Sequence, residues 1–255
     1  MKAKCAYALA AAAVLIVLGV SPVQAFDIGA KAYYWYPKVT GDLKVGTTNV
    51  KGTMLDLQGD LDFNQEGMLG GTLFLKTGKH HLAGSFCQIN YESDVTLRKN
   101  VAFAGDTFTA GSKVKAELIW SMADLEYGYD ILDIQPLLAG ATVTLLGRLK
   151  FFDAKSRMEL GGKVSQSSSQ PAIPMLGASA KVQVLADLVS AEVAAVGMGY
   201  SGNLIVDGTA EVSITPLPFI GVHAGWRYLK LDLNYDETDT NSTFSGPYGY
   251  LSVSF

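Results

Sequence analysis

The chain has 255 residues, a formal charge of -4, 17% charged and 49% hydrophobic residues, 27 glycines and 12 tyrosines. An acidity this mild gives no support for nucleic-acid binding, which wants a basic face. The charged fraction is below the ~25% of ordinary domains, yet the one apolar run at the front is shorter than the ~20 residues of a membrane-spanning helix and no later stretch reaches that length without a charge.

That first run is Ala6 to Val20, preceded by Lys2 and Lys4 and followed by Ser21-Pro22-Val23-Gln24-Ala25. A basic start, an apolar stretch and a Val-x-Ala end read as a secretory signal peptide over residues 1–25, cut after Ala25. The mature domain is then 26–255, and the loss of two lysines and no acid makes it more acidic. Cys5 lies inside the signal and not at the end of the apolar run, so lipidation is not expected. Cys87 is the one mature cysteine, which excludes an intramolecular disulfide. It reads as a packing or lipid-facing thiol. An exported, apolar, glycine- and tyrosine-rich chain without helical spans points to a β-barrel in lipid.

From Phe26 onward the period is two, the period of strands. Over 26–36, Ile28, Ala30, Ala32, Tyr34 and Tyr36 share one face, and Asp27, Lys31, Tyr33 and Trp35 the other. Over 137–152, Leu145, Leu149 and Phe151 oppose Thr142, Thr144, Arg148 and Lys150. Ten strands are predicted, at 26–36, 68–77, 80–91, 112–131, 137–152, 174–186, 188–200, 203–215, 220–232 and 247–255; eight and twelve are the alternatives. Several exceed the ~5–6 residues common in globular proteins and reach the ~9–11 that cross a bilayer at a tilt. In 112–131 the apolar parity changes from Val114, Ala116, Leu118 and Trp120 to Leu125, Tyr127 and Tyr129. A bulge near Ser121 to Asp124 would account for it.

Connections alternate. Long ones are expected at 37–67, 92–111, 153–173 and 233–246. Short ones fall at Gly78-Lys79, Asp133 to Pro136, Asp187 and Leu217 to Phe219, with Ser201-Gly202 as a tight turn on the long-loop side. With the N-terminus in the periplasm, long loops lie outside the cell and short turns inside, as in outer-membrane barrels.

The chain ends Tyr248-Gly249-Tyr250-Leu251-Ser252-Val253-Ser254-Phe255. This resembles the last-strand signature of Gram-negative outer-membrane β-barrel proteins, in which a terminal aromatic with alternating apolar residues is read by the barrel-assembly machinery. Leu251, Val253 and Phe255 carry the match. Over the whole mature chain the architecture resembles the small single-chain barrels of the OmpA, OmpX and OmpW type. That resemblance implies an all-β, antiparallel transmembrane barrel in the cell outer membrane, partnered by its lipid and lipopolysaccharide and by the assembly machinery.

The chemistry-bearing residues are few. Lys31, Lys76, Arg148, Lys150, Lys181, Glu192, Asp207, Glu211, His223 and Arg227, together with Glu117, fall on the lumen parity. A midplane Lys or Arg facing lipid would cost ~2–4 kcal/mol. They read as a salt-bridged plug or as the lining of a narrow mixed-charge channel. Barrel enzymes similar to lipid A deacylases or palmitoyltransferases need a Ser–His pair, and His223 lacks a serine at the next same-face position. His80 and His81 flank a turn and read as polar anchors. Asp56, Asp60, Asp62, Asp236, Glu237 and Asp239 sit in loops, where hard cations could bridge lipopolysaccharide phosphates; an omptin-like protease would need a loop histidine beside them. Tyr34, Tyr36, Phe151, Trp226, Tyr228, Tyr127, Tyr129, Tyr248 and Phe255 are expected in aromatic girdles. No metal, cofactor or catalytic set is expected. The function expected is a non-enzymatic, porin-like small-solute channel or an envelope-integrity role. The alternatives are an envelope enzyme acting on lipid A or peptides, and surface recognition through the long loops.

Overall fold

The computed structural model describes residues 26–134, 139–185, 188–217, 219–235 and 238–255. The expected signal peptide, Asp187, Asp236 and Glu237 lie outside them, as do parts of the turns expected at 133–136 and 217–219. Fifteen strands follow in order: β1 (Phe26–Trp35), β2 (Lys38–Val45), β3 (Leu55–Asp56), β4 (Met68–Thr77), β5 (His80–Thr96), β6 (Val101–Phe103), β7 (Asp106–Phe108), β8 (Lys113–Ile134), β9 (Ala139–Leu160), β10 (Lys163–Ser169), β11 (Ala172–Val184), β12 (Val189–Tyr200), β13 (Asn203–Leu217), β14 (Ile220–Tyr235) and β15 (Thr238–Ser254).

Ten of them close a ring in the order β1-β4-β5-β8-β9-β11-β12-β13-β14-β15, with β15 pairing back to β1 from Gly29↔Ser254 to Trp35↔Tyr248. All these pairings are antiparallel and the ring closes through β1 and β15, the arrangement that lets strands cross lipid. Both described termini and the tight turn at Gly78, in the left-handed region at φ 55°, lie at one end, here the terminal end. At the opposite, far end the ring continues upward. β2 takes over from β1 along β15, and β10 takes over from β11 along β9. Much of the expected loops 37–67, 92–111, 153–173 and 233–246 is therefore strand. The Ser201-Gly202 connection stays a two-residue turn with both φ positive, the conformation that matches strand twist.

β8 explains why. Its even residues point inward from Val114 to Asp130: Val114, Ala116, Leu118, Trp120 and Met122 are buried, then Asp124, Glu126 and Asp130 are buried or half-buried. Its odd residues point outward, first Lys113, Lys115 and Glu117, then Leu125, Tyr127 and Tyr129. The parity of the side chains holds from Lys113 to Asp130. What changes is the medium outside, from water to lipid. The expected bulge at Ser121–Asp124 is absent: Ser121 pairs with Gln88 and Asp124 with Ser85 in unbroken register, and the irregularity lies at Asp130/Leu132. Glu117 is corrected with it. It faces outward, 3.8 Å from Arg157 on β9.

The same reversal runs through the neighbours. On β9, Arg148 and Lys150 point inward below, and Phe152, Ala154 and Met158 above. On β14, His223 and Arg227 give way to Leu229, Leu231 and Leu233. The barrel thus has two halves. The belt half exposes Leu69, Leu73, Val193, Val212 and Leu176, the last at 78%. Tyr34, Tyr36, Phe151, Trp226 and Tyr228 are exposed toward its far edge, and Tyr127, Tyr129, Phe219 and Phe255 toward the terminal edge. An apolar ring of this kind with aromatic margins lies in a bilayer. The far half has an apolar inside built on Trp35, Tyr91, Phe244, Leu55, Leu57 and Phe63, and each fully buried Leu or Phe there contributes ~1.5–3 kcal/mol. Cys87 belongs to that interior and faces no lipid.

Candidate functional site

The polar interior of the belt half forms three groups. The uppermost centres on Asp207 of β13, 3% exposed. Arg227 on neighbouring β14 donates from Nε (3.0 Å) and Nη2 (2.7 Å) to its two oxygens. Arg148 of β9 donates from Nη1 at 2.9 Å, and Lys150 Nζ lies at 3.1 Å. Since β11 and β12 separate β9 from β13 in the ring, these bonds cross the lumen. Arg148 also binds Glu126 of β8 at 2.5 Å, and Lys150, 0% exposed, binds Asp124 at 2.7 Å. Three cations and three carboxylates balance. The Arg227 guanidinium lies 4.7 Å from the Trp35 ring centre, and the Trp35 indole donates to the Gly246 carbonyl at 3.3 Å. Trp35 thus joins the charged cross-section to the apolar interior above it.

The second group surrounds Glu211. The Tyr250 hydroxyl donates to it at 2.6 Å, Tyr248 donates to its other oxygen, and His223 Nδ1 lies at 3.2 Å. His223 Nε2 meets the Ser252 hydroxyl at 3.0 Å, and its ring stacks on Tyr250 with centroids 3.9 Å apart. Lys31 sits over the Tyr250 ring at 4.9 Å. Lys181 faces Glu192 in register across β11 and β12, and Glu192 faces Glu211 across β12 and β13. A cavity of about 200 Å³ remains between this group and the first. The third group, nearer the terminal end, is Asp130, which accepts from His81 at 2.8 Å and Thr144 at 2.7 Å, with Lys76 at 3.5 Å.

The ten lumen candidates read from the sequence therefore take inward positions on their strands. Three sequence assignments change. Tyr248 points inward to Glu211 and leaves the girdle. His81 turns inward, and His80 alone keeps the outer side, bonded to the Tyr127 hydroxyl at 2.7 Å. His223 does have a serine partner, supplied by the adjacent strand: Gly221 is the register partner of Ser252 on β15. A same-face residue two positions along one strand and a diagonal neighbour across a ladder are comparably close, and only the pairing of strands brings in the second. In the far half, Asp60 pairs with Lys99 at 2.6 Å, Asp106 with Lys163 at 2.7 Å, and Asp239 with Lys44. The Lys163 and Ser165 contacts hold the Asp106 carboxyl below the usual carboxylate range. Among the described residues, no group of three or more His, Cys, Asp or Glu side chains is arranged to hold a metal ion.

No protein-family model matches the chain, and no curated protein matches it. Solved structures do. The outer membrane protease OmpT from Escherichia coli superposes with a TM-score of 0.56 at 8% identity, over 92% of this chain and 99% of that one. The β domain of the Bordetella autotransporter BrkA aligns at a TM-score of 0.44, 14% identity and 91% and 100% coverage. Neisserial surface protein A aligns at 0.36, 15% identity and 90% and 97% coverage. The first likeness defines the class of the fold: an outer-membrane β-barrel.

Proposed function

We propose that this chain is a non-enzymatic protein of the Gram-negative outer membrane whose barrel is closed at membrane level and serves envelope integrity, with the far half outside the cell. The observation that carries this reading is the Asp207 cluster. Arg148, Lys150 and Arg227 reach one carboxylate from both sides of the lumen, and an apolar interior lies directly above. A ten-strand barrel has only modest room beyond its own side chains, so charges locked in this way support a plug over a solute path. Leu251, Val253 and Phe255, exposed on the outer face of the closing strand, would serve as the assembly signal, and lipopolysaccharide would meet the belt and its rim. Planar-bilayer recording on the folded protein tests the closed state. Silent membranes are expected; discrete conductance steps would return the channel reading.

A second reading rests on Ser252, His223 and Glu211. Their hydrogen bonds run from hydroxyl to imidazole to carboxylate, the order of a nucleophile, a base and its orienting acid. This is the pair that the envelope-enzyme alternative lacked in the sequence. Against it, Glu211 is also held by two tyrosines, and β15 is paired on both sides at Ser252, opposite Lys31 and Gly221. Its backbone N–H groups thus serve the ladder and not an oxyanion. Labelling of folded protein by a fluorophosphonate, lost in Ser252→Ala and His223→Ala, would establish the enzyme; unlabelled protein removes it.

A further inference from the structure

The far half has an opening in its wall. Among the described residues β10 pairs with β9 alone, and on the other side β14 has no partner toward β13 beyond Leu204↔Asp232. Between them stands the short β12–β13 connection, Ser201-Gly202, capped where the Asn203 side chain accepts from the Asn234 backbone at 2.6 Å. Two strand edges therefore face each other across a notch. At its sill stand Tyr200 and Leu204, exposed at 77% and 43%, where the lipid-facing belt ends.

Behind the notch lies a cavity of about 50 Å³. By the measure in which one water needs ~10–15 Å³, this holds about four waters or an alkyl segment of similar bulk. Leu118, Trp120 and Phe152 form its apolar floor, Leu233 and the hydroxyls of Ser167 and Ser169 stand on the two flanks of the notch, and among the described residues no charged one lines it. A chamber lined by apolar side chains and by hydroxyl residues, Ser156, Thr238, Thr240 and Ser242 besides the two at the notch, opening sideways where the bilayer surface would lie, matches one kind of molecule. The alkyl end would fill the floor, and an uncharged polar head would bond to the serines.

We propose that this chamber binds a neutral single-chain amphiphile that enters from the outer leaflet through the notch between β10 and β14. Binding goes beyond the envelope role and needs no open lumen. Trp120 on the floor is a built-in reporter, because bromine quenches indole fluorescence on contact.

The test uses the mature chain folded in vesicles with Trp226→Phe, which removes the lipid-facing indole, and 11-bromoundecan-1-ol as probe. Saturable quenching is expected, absent when Trp120→Phe is added. Ala154→Phe, which fills the chamber from β9, should weaken binding at least tenfold while Lys99→Ala, remote from the notch, leaves it unchanged. The anionic 11-bromoundecanoate at pH 8 should bind at least tenfold more weakly than the alcohol. Non-saturable quenching, or saturable quenching that Ala154→Phe leaves intact, would overturn the site. Equal binding of the two probes would overturn its preference for a neutral head. Far-ultraviolet circular dichroism of each variant reports the barrel separately, so a folded but non-binding protein counts against the chamber and not against the closed barrel.

Discussion

Strand β14 contains both halves of the molecule in sixteen residues. From Val222 to Arg227 its outward side chains are Val222, Ala224 and Trp226, and its inward ones are His223 and Arg227. Above, Lys230 and Asp232 point outward, and Leu229, Leu231 and Leu233 inward. Alternation is the same in both; its sign is opposite. In the far half water surrounds the ring, so apolar burial supplies the driving force. In the belt half an apolar side chain gains little by moving from lipid to the interior. The interior there is held by paired backbone and by ion pairs whose members stabilise only as a set. The two halves should therefore fail in different ways when altered.

The largest effect is expected at Asp207. Asp207→Ala leaves Arg148, Lys150 and Arg227 without their shared carboxylate, and stranding buried charge costs ~3–5 kcal/mol. Denaturant titration in vesicles measures it. The double variant Asp207→Ala/Arg227→Ala should recover part of the loss; no coupling between the two would dissolve the cluster as a unit.

Next come two leucines that separate the halves. Leu231→Ala opens a cavity in the far interior, and such truncations cost ~2–5 kcal/mol. Leu176→Ala, on the lipid face, should cost much less, since lipid chains fill the space. Equal losses would erase the distinction between the media.

Charge insertion inverts that pairing. Ala224→Arg places a cation toward lipid near the middle of the belt and should destabilise the barrel by ~2–4 kcal/mol. Asn90→Arg, on the outward face of β5 in the far half, should stay within ~0.5 kcal/mol. If both are tolerated, the belt is not embedded.

The smallest effect concerns acid. Burial would raise the Asp60 carboxyl, but the Lys99 ammonium and the Asp56 backbone N–H outweigh it and hold it below 3.8. A lowered carboxylate stabilises the folded state above its unfolded value, and that contribution fades as pH falls through the folded one. Against Asp60→Asn, the wild type should keep an advantage of under ~1 kcal/mol at pH 5 and lose it below pH 3.8. An advantage that grows on acidification would exclude the Lys99 pair as its source.

The alternation that makes strands is local, so the ten ring strands are legible from Phe26 onward, while Glu117, His81 and Tyr248 take other faces than those expected from the sequence. Arg148, Lys150, Asp207 and Arg227 could be set on the lumen parity because a charge at belt level has nowhere else to go. Their partners were not legible. Arg227 bonds Asp207 as a diagonal neighbour on the adjacent strand, whereas Arg148 reaches the same carboxylate from three strands away, a contact that only closure of the ring creates. The change of apolar parity in β8 is visible in the sequence but its cause is not, because a sequence shows which residues alternate and not which medium lies on either side. Period two is a property of the backbone. Whether the apolar face turns in or out at Met122 and again at Leu125 is set by where water ends and lipid begins, and only the closed barrel draws that line.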